Sequence, residues 1–162
     1  MGSGKTHTGL RLARRLGYPM VDLDEWIEGR EGRSINDIFA TAGEAYFRDR
    51  EAAILRELGP LPNVVVSTGG GAPCFRGGMD WMLAHGTVVF LDPPVDVLVD
   101  RLLDGRAQRP LLGEVEDLRG SVVERLAARR PVYERAHIHL RPTYPNEDVA
   151  RLVAERLPRT AG

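Results

Sequence analysis

Short apolar runs alternate along this chain with longer stretches of helical period, and that alternation constrains the fold more than any single motif. The runs are MVDLD (20–24), NVVVST (63–68), GTVVFLD (86–92) and HIHLR (137–141). Each is short enough for a strand buried on both faces, and each is bounded by turn or helix signals. Around them lie apolar stripes at helical spacing. Gly9, Leu12, Ala13 and Leu16 form the first, stopped by Gly17 and Pro19. Phe47/Ile54/Leu55/Leu58, Val95/Leu98/Val99/Leu102 and Val149/Leu152/Val153 form the others, the last with Asn146 as its expected N-cap. Strands alternating with helices predict an α/β fold, a parallel sheet covered by helices. With 162 residues, 43% of them hydrophobic, the chain suits one domain over 1–162 with a real core and is too short for two.

Charge and cysteine usage narrow the function. Lys and Arg number 22 against 23 Asp and Glu, so no global positive field draws in nucleic acid or an anionic membrane. Any anion must be bound by a local basic site. Cys74 is the only cysteine, which excludes an intramolecular disulfide framework and fits a reducing cytoplasm. His7, His85, His137 and His139 have no zinc-like spacing. No apolar run reaches transmembrane length, and the N-terminus lacks the apolar core of a signal peptide.

Four stretches carry candidate chemistry. In GSGKT, Gly2, Ser3 and Gly4 let backbone N–H groups curl around phosphates, Lys5 reaches the β/γ oxygens and Thr6 can ligate Mg²⁺ at a helix N-terminus. A glycine-rich tail before an ordinary helix is the plain alternative. In VDLDEWIE, Asp22 and Asp24 stand two apart at a strand end and are expected to project on the same side. One could hold Mg²⁺ through water and the other accept a hydroxyl proton, or the pair could be a solvated acidic turn capping the next helix. STGGGAP follows an apolar run with glycines where bare backbone allows close ligand approach, or merely a flexible turn. In AYFRDRE, Arg48 and Glu51 share a helix face, so that Glu51 could orient Arg48's fork toward a carboxylate or form a simple surface pair with it.

Two arginine sites remain. GRAQRPLLGEVEDL supplies Arg106 and Arg109 in a stretch whose glycines, charges and Pro110 suit either a mobile cover over ATP or an ordinary exposed loop. AARRPVYERA supplies Arg129 and Arg130 ahead of a proline expected to end the helix. One of these guanidinium groups could reach a ligand cleft, or both could complement the helix dipole.

Taken in order, GSGKT, DLDEWIE, GEAYFRDRE, STGGGA, RPLL and RRPVYERA resemble shikimate kinase, a small P-loop phosphotransferase, nearly end to end. The resemblance implies a P-loop fold with a five-stranded parallel sheet, a shikimate-binding subregion over 25–60 and a lid over 105–119. It implies ATP and Mg²⁺, with Lys5 on phosphate, Thr6 and Asp22 serving the metal, and His7 where a second hydroxyl residue is common. Asp24 matches the residue that binds the shikimate hydroxyls and acts as base. Arg48 and Arg129 match the grip on the shikimate carboxylate, the latter opening an R-x-P-x-Y pattern that ends at Tyr133. Gly69, Gly70 and Gly71 line the pocket, with Phe39 and Phe47 as apolar walls. Arg109 meets the transferring phosphate, and Arg106 and Pro145 lie near adenine. The implied product is shikimate 3-phosphate, made by a cytoplasmic monomer that needs neither nucleic acid nor membrane.

The family's first strand and first loop glycine fall before Met1, which suggests a displaced start or a shortened chain. Strands flanking that central position are then expected to lack hydrogen-bond partners. Two other readings fit part of the pattern: another small-metabolite P-loop kinase, such as a gluconate kinase, and a catalytically inert nucleotide-binding relative.

Overall fold

The computed structural model describes residues 2–106, 115–142 and 148–158. Helix α1 (Lys5–Leu16) starts at Gly4, with φ 79°, and stops at Gly17, with φ 69°, where the Gly17 N–H returns to the carbonyls of the preceding turn. Both ends need the left-handed backbone that glycine adopts without strain. Strand β1 (Met20–Asp22) runs directly into α2 (Leu23–Glu31). Helix α3 (Ile35–Leu58) starts at the Ser34 cap and is interrupted at Gly43, φ 82° and ψ 171°, so AYFRDRE does begin a fresh helical stretch. Strand β2 (Val65–Ser67), a 3₁₀ turn (Ala72–Cys74), α4 (Gly78–His85), β3 (Val89–Leu91), α5 (Val95–Arg106), α6 (Val115–Tyr133), β4 (Ile138–Leu140) and α7 (Val149–Arg156) follow.

The fold is α/β as expected, and the four apolar runs each contain a strand, cut to three residues. They form two parallel pairs: β1 on β2, registering Asp22 with Ser67, and β3 on β4, registering Leu91 with Leu140. Among the described residues β2 and β3 share no ladder. Side-chain packing joins the pairs instead. Val65 of β2 and Val89 and Leu91 of β3 lie against one cluster built from Leu12, Ile138, Leu140, Val149, Ala150 and Val153. Helix α1 therefore spans both pairs. A second cluster, Leu23, Ile27, Ile38, Phe47, Ile54, Leu55, Leu58 and Ala72, seats α2 and α3 on Val21 and Val66. Leu23, Ile27 and Ile38 are fully buried, each stabilising by about 1.5–3 kcal/mol.

Three local expectations need correction. Asp24 is on no strand, because α2 begins at Leu23. Pro131 does not end α6, which runs on to Tyr133: the residues after the proline keep helical backbone although its ring crowds the preceding turn and its nitrogen has no N–H to donate. Helix α7 is capped by Asp148, whose side chain accepts from Arg151 N–H, while Asn146 lies outside the described residues. Within the 105–119 stretch α5 reaches Arg106 and α6 starts at Val115, and 107–114 lie outside the described residues.

The turn that leads into α4 is tightly packed. A Cβ on Gly78 would lie 1.8 Å from the Ala72 carbonyl oxygen, a backbone atom that cannot swing aside. Gly78→Ala is expected to destabilise by at least about 3 kcal/mol in urea unfolding, and a change under about 1 kcal/mol would show that the turn yields. No described helix is long and apolar enough to cross a membrane.

Candidate active site

The register of β1 on β2 sets the floor of the site. Asp22 pairs with Ser67 at the carboxyl ends of the two strands, and the first turn of α1 lies over them. Thr6 Oγ1 donates to Asp22 Oδ2 at 2.8 Å and lies 3.4 Å from Ser67 Oγ. Gly2, with φ 74°, is held against α5: its carbonyl accepts from Arg101 Nη1 at 3.0 Å, and a Cβ there would meet the Leu98 carbonyl oxygen at 3.1 Å. Ser3 sits in the turn between Gly2 and Gly4, and Gly4 closes it as the left-handed N-cap of α1. Free N–H groups of a helix start and the adjoining Lys5 make this turn suited to an anion. His7 is exposed on the same first turn.

Asp22 and Asp24 do not project side by side from a strand. Asp22 turns to cap α2, its Oδ1 accepting from Asp24 N–H at 3.0 Å while Oδ2 takes the Thr6 hydroxyl. Helix capping and contact with Thr6 thus fall to one carboxylate. Asp24, in the first turn of α2, faces Gly69, where a Cβ would lie 3.1 Å from Asp24 Oδ1 and 3.1 Å from Glu51 Oε1. Burial raises the Asp24 pKa above the ordinary carboxylate value, against the opposing pull of Lys5, and Asp22 and Glu28 raise it further.

The glycine run is where the separate elements meet. None of Gly69, Gly70 and Gly71 has a positive φ, so space and not backbone conformation demands them. Beside Gly70 stand Tyr133 Oη, 3.1 Å from a notional Cβ, and Arg129 Nη1, 3.4 Å from it; Tyr133 also donates to the Gly70 carbonyl at 2.5 Å. Beside Gly71 stands the Arg48 guanidinium, which a Cβ would meet at 2.2 Å. Any side chain here would push out a charged group.

Arg48 is strongly fixed. Its Nη1 donates to Glu51 Oε2 at 2.7 Å, its Nε and Nη2 reach Glu44 Oε1 at 3.2 and 3.1 Å, and its guanidinium lies 4.5 Å from the Phe75 ring and 5.0 Å from Phe47. The Arg48–Glu51 pair is no surface bridge, since the Glu51 side chain is only 2% exposed. Its Oε1 is buried with no hydrogen-bond partner among the described residues. Burial raises the Glu51 pKa against Arg48, and the charges of Asp24 and Arg129 also act on it. Phe39 packs on Phe47 at 4.8 Å, but the two differ in setting: Phe47 is core, and Phe39 is exposed at the rim.

The structure therefore gathers Asp24, Arg48, Gly69, Gly70, Gly71 and Arg129 around one space, with Lys5, Thr6 and Asp22 beside it. Arg106 ends α5 with its side chain outside the described atoms, and Arg109 and Pro145 lie outside the described residues. Phe75, Glu44 and Ser67 join the site without having been anticipated. Ser67 could have been found as the residue ahead of the glycines, and Glu44 by its i,i+4 spacing to Arg48 within GEAYFRDRE; Phe75 carries no periodic or motif signal of its own.

Comparison with known proteins follows the same line. The sequence profile of the family described as shikimate kinase matches residues 1–158. A shikimate kinase of Bacteroides fragilis is 45% identical over 139 residues, covering 85% of this chain and 78% of its own. Among solved structures, shikimate kinase from Bacteroides thetaiotaomicron superposes with a TM-score of 0.88 at 38% identity, over 96% of this chain and 93% of that one. Shikimate kinase from Acinetobacter baumannii in complex with shikimate gives 0.86 at 34% identity, over 96% and 87%.

Proposed function

The chain belongs to the shikimate kinase family, and from that premise we propose how its own residues divide the work. It is an enzyme that phosphorylates shikimate with ATP, giving shikimate 3-phosphate and ADP. The observation that carries the assignment of roles is the convergence of Asp24, Arg48 and Arg129 on the three glycines. A rigid cyclic acid needs a bidentate cationic grip on its carboxylate and an acceptor for its hydroxyls. Arg48 and Arg129 supply the grip, and Asp24 the acceptor. The bare Gly69–Gly71 backbone lets the ring approach, with Phe39 and Phe47 at its side.

In the reaction a shikimate hydroxyl oxygen bonds to the γ-phosphorus, the bond from that phosphorus to the β–γ bridging oxygen breaks, and the bridging oxygen leaves on ADP. Asp24 takes the hydroxyl proton, for which burial has made it a stronger base than an exposed carboxylate. The turn at Gly2, Ser3, Gly4 and Lys5 cradles the phosphates, with His7 beside it on α1. From the sequence, Arg109 meets the moving phosphoryl group, and Arg106 and Pro145 hold adenine. Among the described residues no group of three or more His, Cys, Asp or Glu side chains forms a metal cage. The oxygen set of Thr6 and Asp22 fits Mg²⁺, which takes few protein ligands and completes its shell with phosphate and water. Bound there, the ion would neutralise charge on the β- and γ-phosphates. The same reading makes the protein a cytoplasmic monomer.

The test is ADP release from the purified protein with ATP, Mg²⁺ and shikimate. Shikimate-dependent ADP that stops on chelation is expected, with gluconate inert as acceptor. ATP binding without turnover by folded protein would overturn the kinase reading.

A further inference from the structure

Consecutive residues Arg129 and Arg130 near the end of α6 face different surroundings. Arg129 stands by Gly70. Arg130 reaches Asp92, just past β3, with Nη1 2.9 Å from Oδ2 and Nη2 2.8 Å from Oδ1. Such a planar fork fixes angle as well as distance. Asp92 is 7% exposed and also takes Arg141 Nε at 3.1 Å, with His139 Nε2 3.0 Å away. Burial alone would raise the Asp92 pKa; the hydrogen bonds from Arg130 and His139, the Arg130 charge and Arg141 outweigh it and hold the carboxyl at about 2. The Asp92 N–H bonds to the Leu140 carbonyl at 2.8 Å, so the carboxylate is carried on the β3–β4 ladder itself.

That anchor lies next to the one proline inside α6. Pro131 follows Arg130 and has no N–H, so the last turn of α6 lacks one backbone hydrogen bond. This turn nevertheless carries both groups that meet Gly70, Arg129 and Tyr133. A second contact runs the same way: the Phe90 ring of β3 lies 5.1 Å from Tyr133 and 4.7 Å from His139.

We propose that Asp92 is a positioning residue for shikimate recognition: through its fork with Arg130 it ties the last turn of α6 to the β3–β4 pair and thereby sets Arg129 against Gly70. The inference rests on the shikimate kinase reading. It assigns the pair a part in substrate affinity, and none in the phosphoryl transfer.

The experiment is a double-mutant cycle on the full chain, reading KM for shikimate, KM for ATP, kcat and thermal stability. Asp92→Asn and Arg130→Gln are each expected to raise the shikimate KM about tenfold, with kcat and the ATP KM within about twofold of wild type. Asp92→Glu, which keeps the charge, should recover part of the loss. In an Arg129→Ala background, Asp92→Asn should add less than about twofold, because the side chain it positions is gone. The same fold-change in both backgrounds, or parallel losses in kcat and ATP KM, would mark the pair as merely structural and overturn the proposal. If Asp92→Asn fails to fold, Arg130→Gln decides, since it leaves Asp92 with His139 and Arg141. A wild-type protein that releases no shikimate-dependent ADP sinks the kinase reading itself, and the positioning role with it; a wild-type enzyme with an unshifted Arg130→Gln sinks the positioning role alone.

Discussion

Asp24→Asn is expected to lower kcat for shikimate phosphorylation by about 10²–10⁴-fold, the range for loss of a general base, while shikimate affinity changes by less than about tenfold. Asparagine keeps the shape and can still hydrogen-bond a hydroxyl, but it cannot take the proton. The pH profile separates this from a loss of fold. Burial raises the Asp24 pKa more than Lys5 lowers it, so the acid limb of wild-type kcat/KM should lie above the range of an exposed carboxylate. Activity falls as pH drops through that raised pKa, because the proton acceptor fills, and the limb should vanish in the variant. Stability runs the other way. A carboxyl whose folded pKa is raised favours the protonated folded state, so the fold loses stability as pH rises through it and carries an ionised Asp24 at a cost near neutrality. The asparagine variant should therefore melt no lower than wild type at about pH 7.5. An Asp24→Asn enzyme that retains wild-type kcat would remove Asp24 from the chemistry.

Local features of this molecule were legible in the sequence, and long-range ones were legible only in part. Gly4 and Gly17 bound α1 because a left-handed backbone leaves few residues to choose from, and the four apolar runs each hold a strand. The extent of those strands was not written there: β1 ends at Asp22 because the Asp22 side chain turns back to cap the next helix. A spacing of two therefore suggested one strand face for Asp22 and Asp24, where the chain had already changed period. The function of Glu51 shows the same limit. Its helical spacing from Arg48 was visible, but not the burial that makes the pair a fixed component of the site. The Asp92 cluster was invisible, since its partners Arg130, His139 and Arg141 lie 38, 47 and 49 residues away and only the packing of α6 on the β3–β4 pair unites them. Arg129 is also distant from the glycine run in sequence; its place at a helix end offered it and Arg130 alike as reaching a cleft, and only resemblance to a family that shares the whole order of motifs chose between them.

Arg48→Ala should produce the other large effect, a fall of about 10²–10³-fold in kcat/KM for shikimate, expressed mainly in KM, together with a loss of stability. Both follow from one geometry. The guanidinium is held by Glu51 at 2.7 Å and presented at Gly71, so its removal takes away half the carboxylate grip and also strips Glu51 of its hydrogen-bond donor. Glu51 Oε1 already has no partner among the described residues, and after the substitution neither oxygen would. An uncompensated buried carboxylate costs about 3–5 kcal/mol unless it takes up a proton. Burial has already raised the Glu51 pKa, and losing Arg48, which opposes that rise, raises it further. The sign follows: the folded state of Arg48→Ala binds the proton more tightly than the unfolded chain, so its stability falls as pH rises through the folded pKa. Thermal melts at about pH 5.5 and about pH 8 should therefore show a larger deficit at the higher pH. Adding Glu51→Gln removes the buried charge and should restore much of the stability while leaving the shikimate KM high. Recovery of KM in that double variant would mean that Arg48 acts by neutralising Glu51 and makes no direct grip on the substrate.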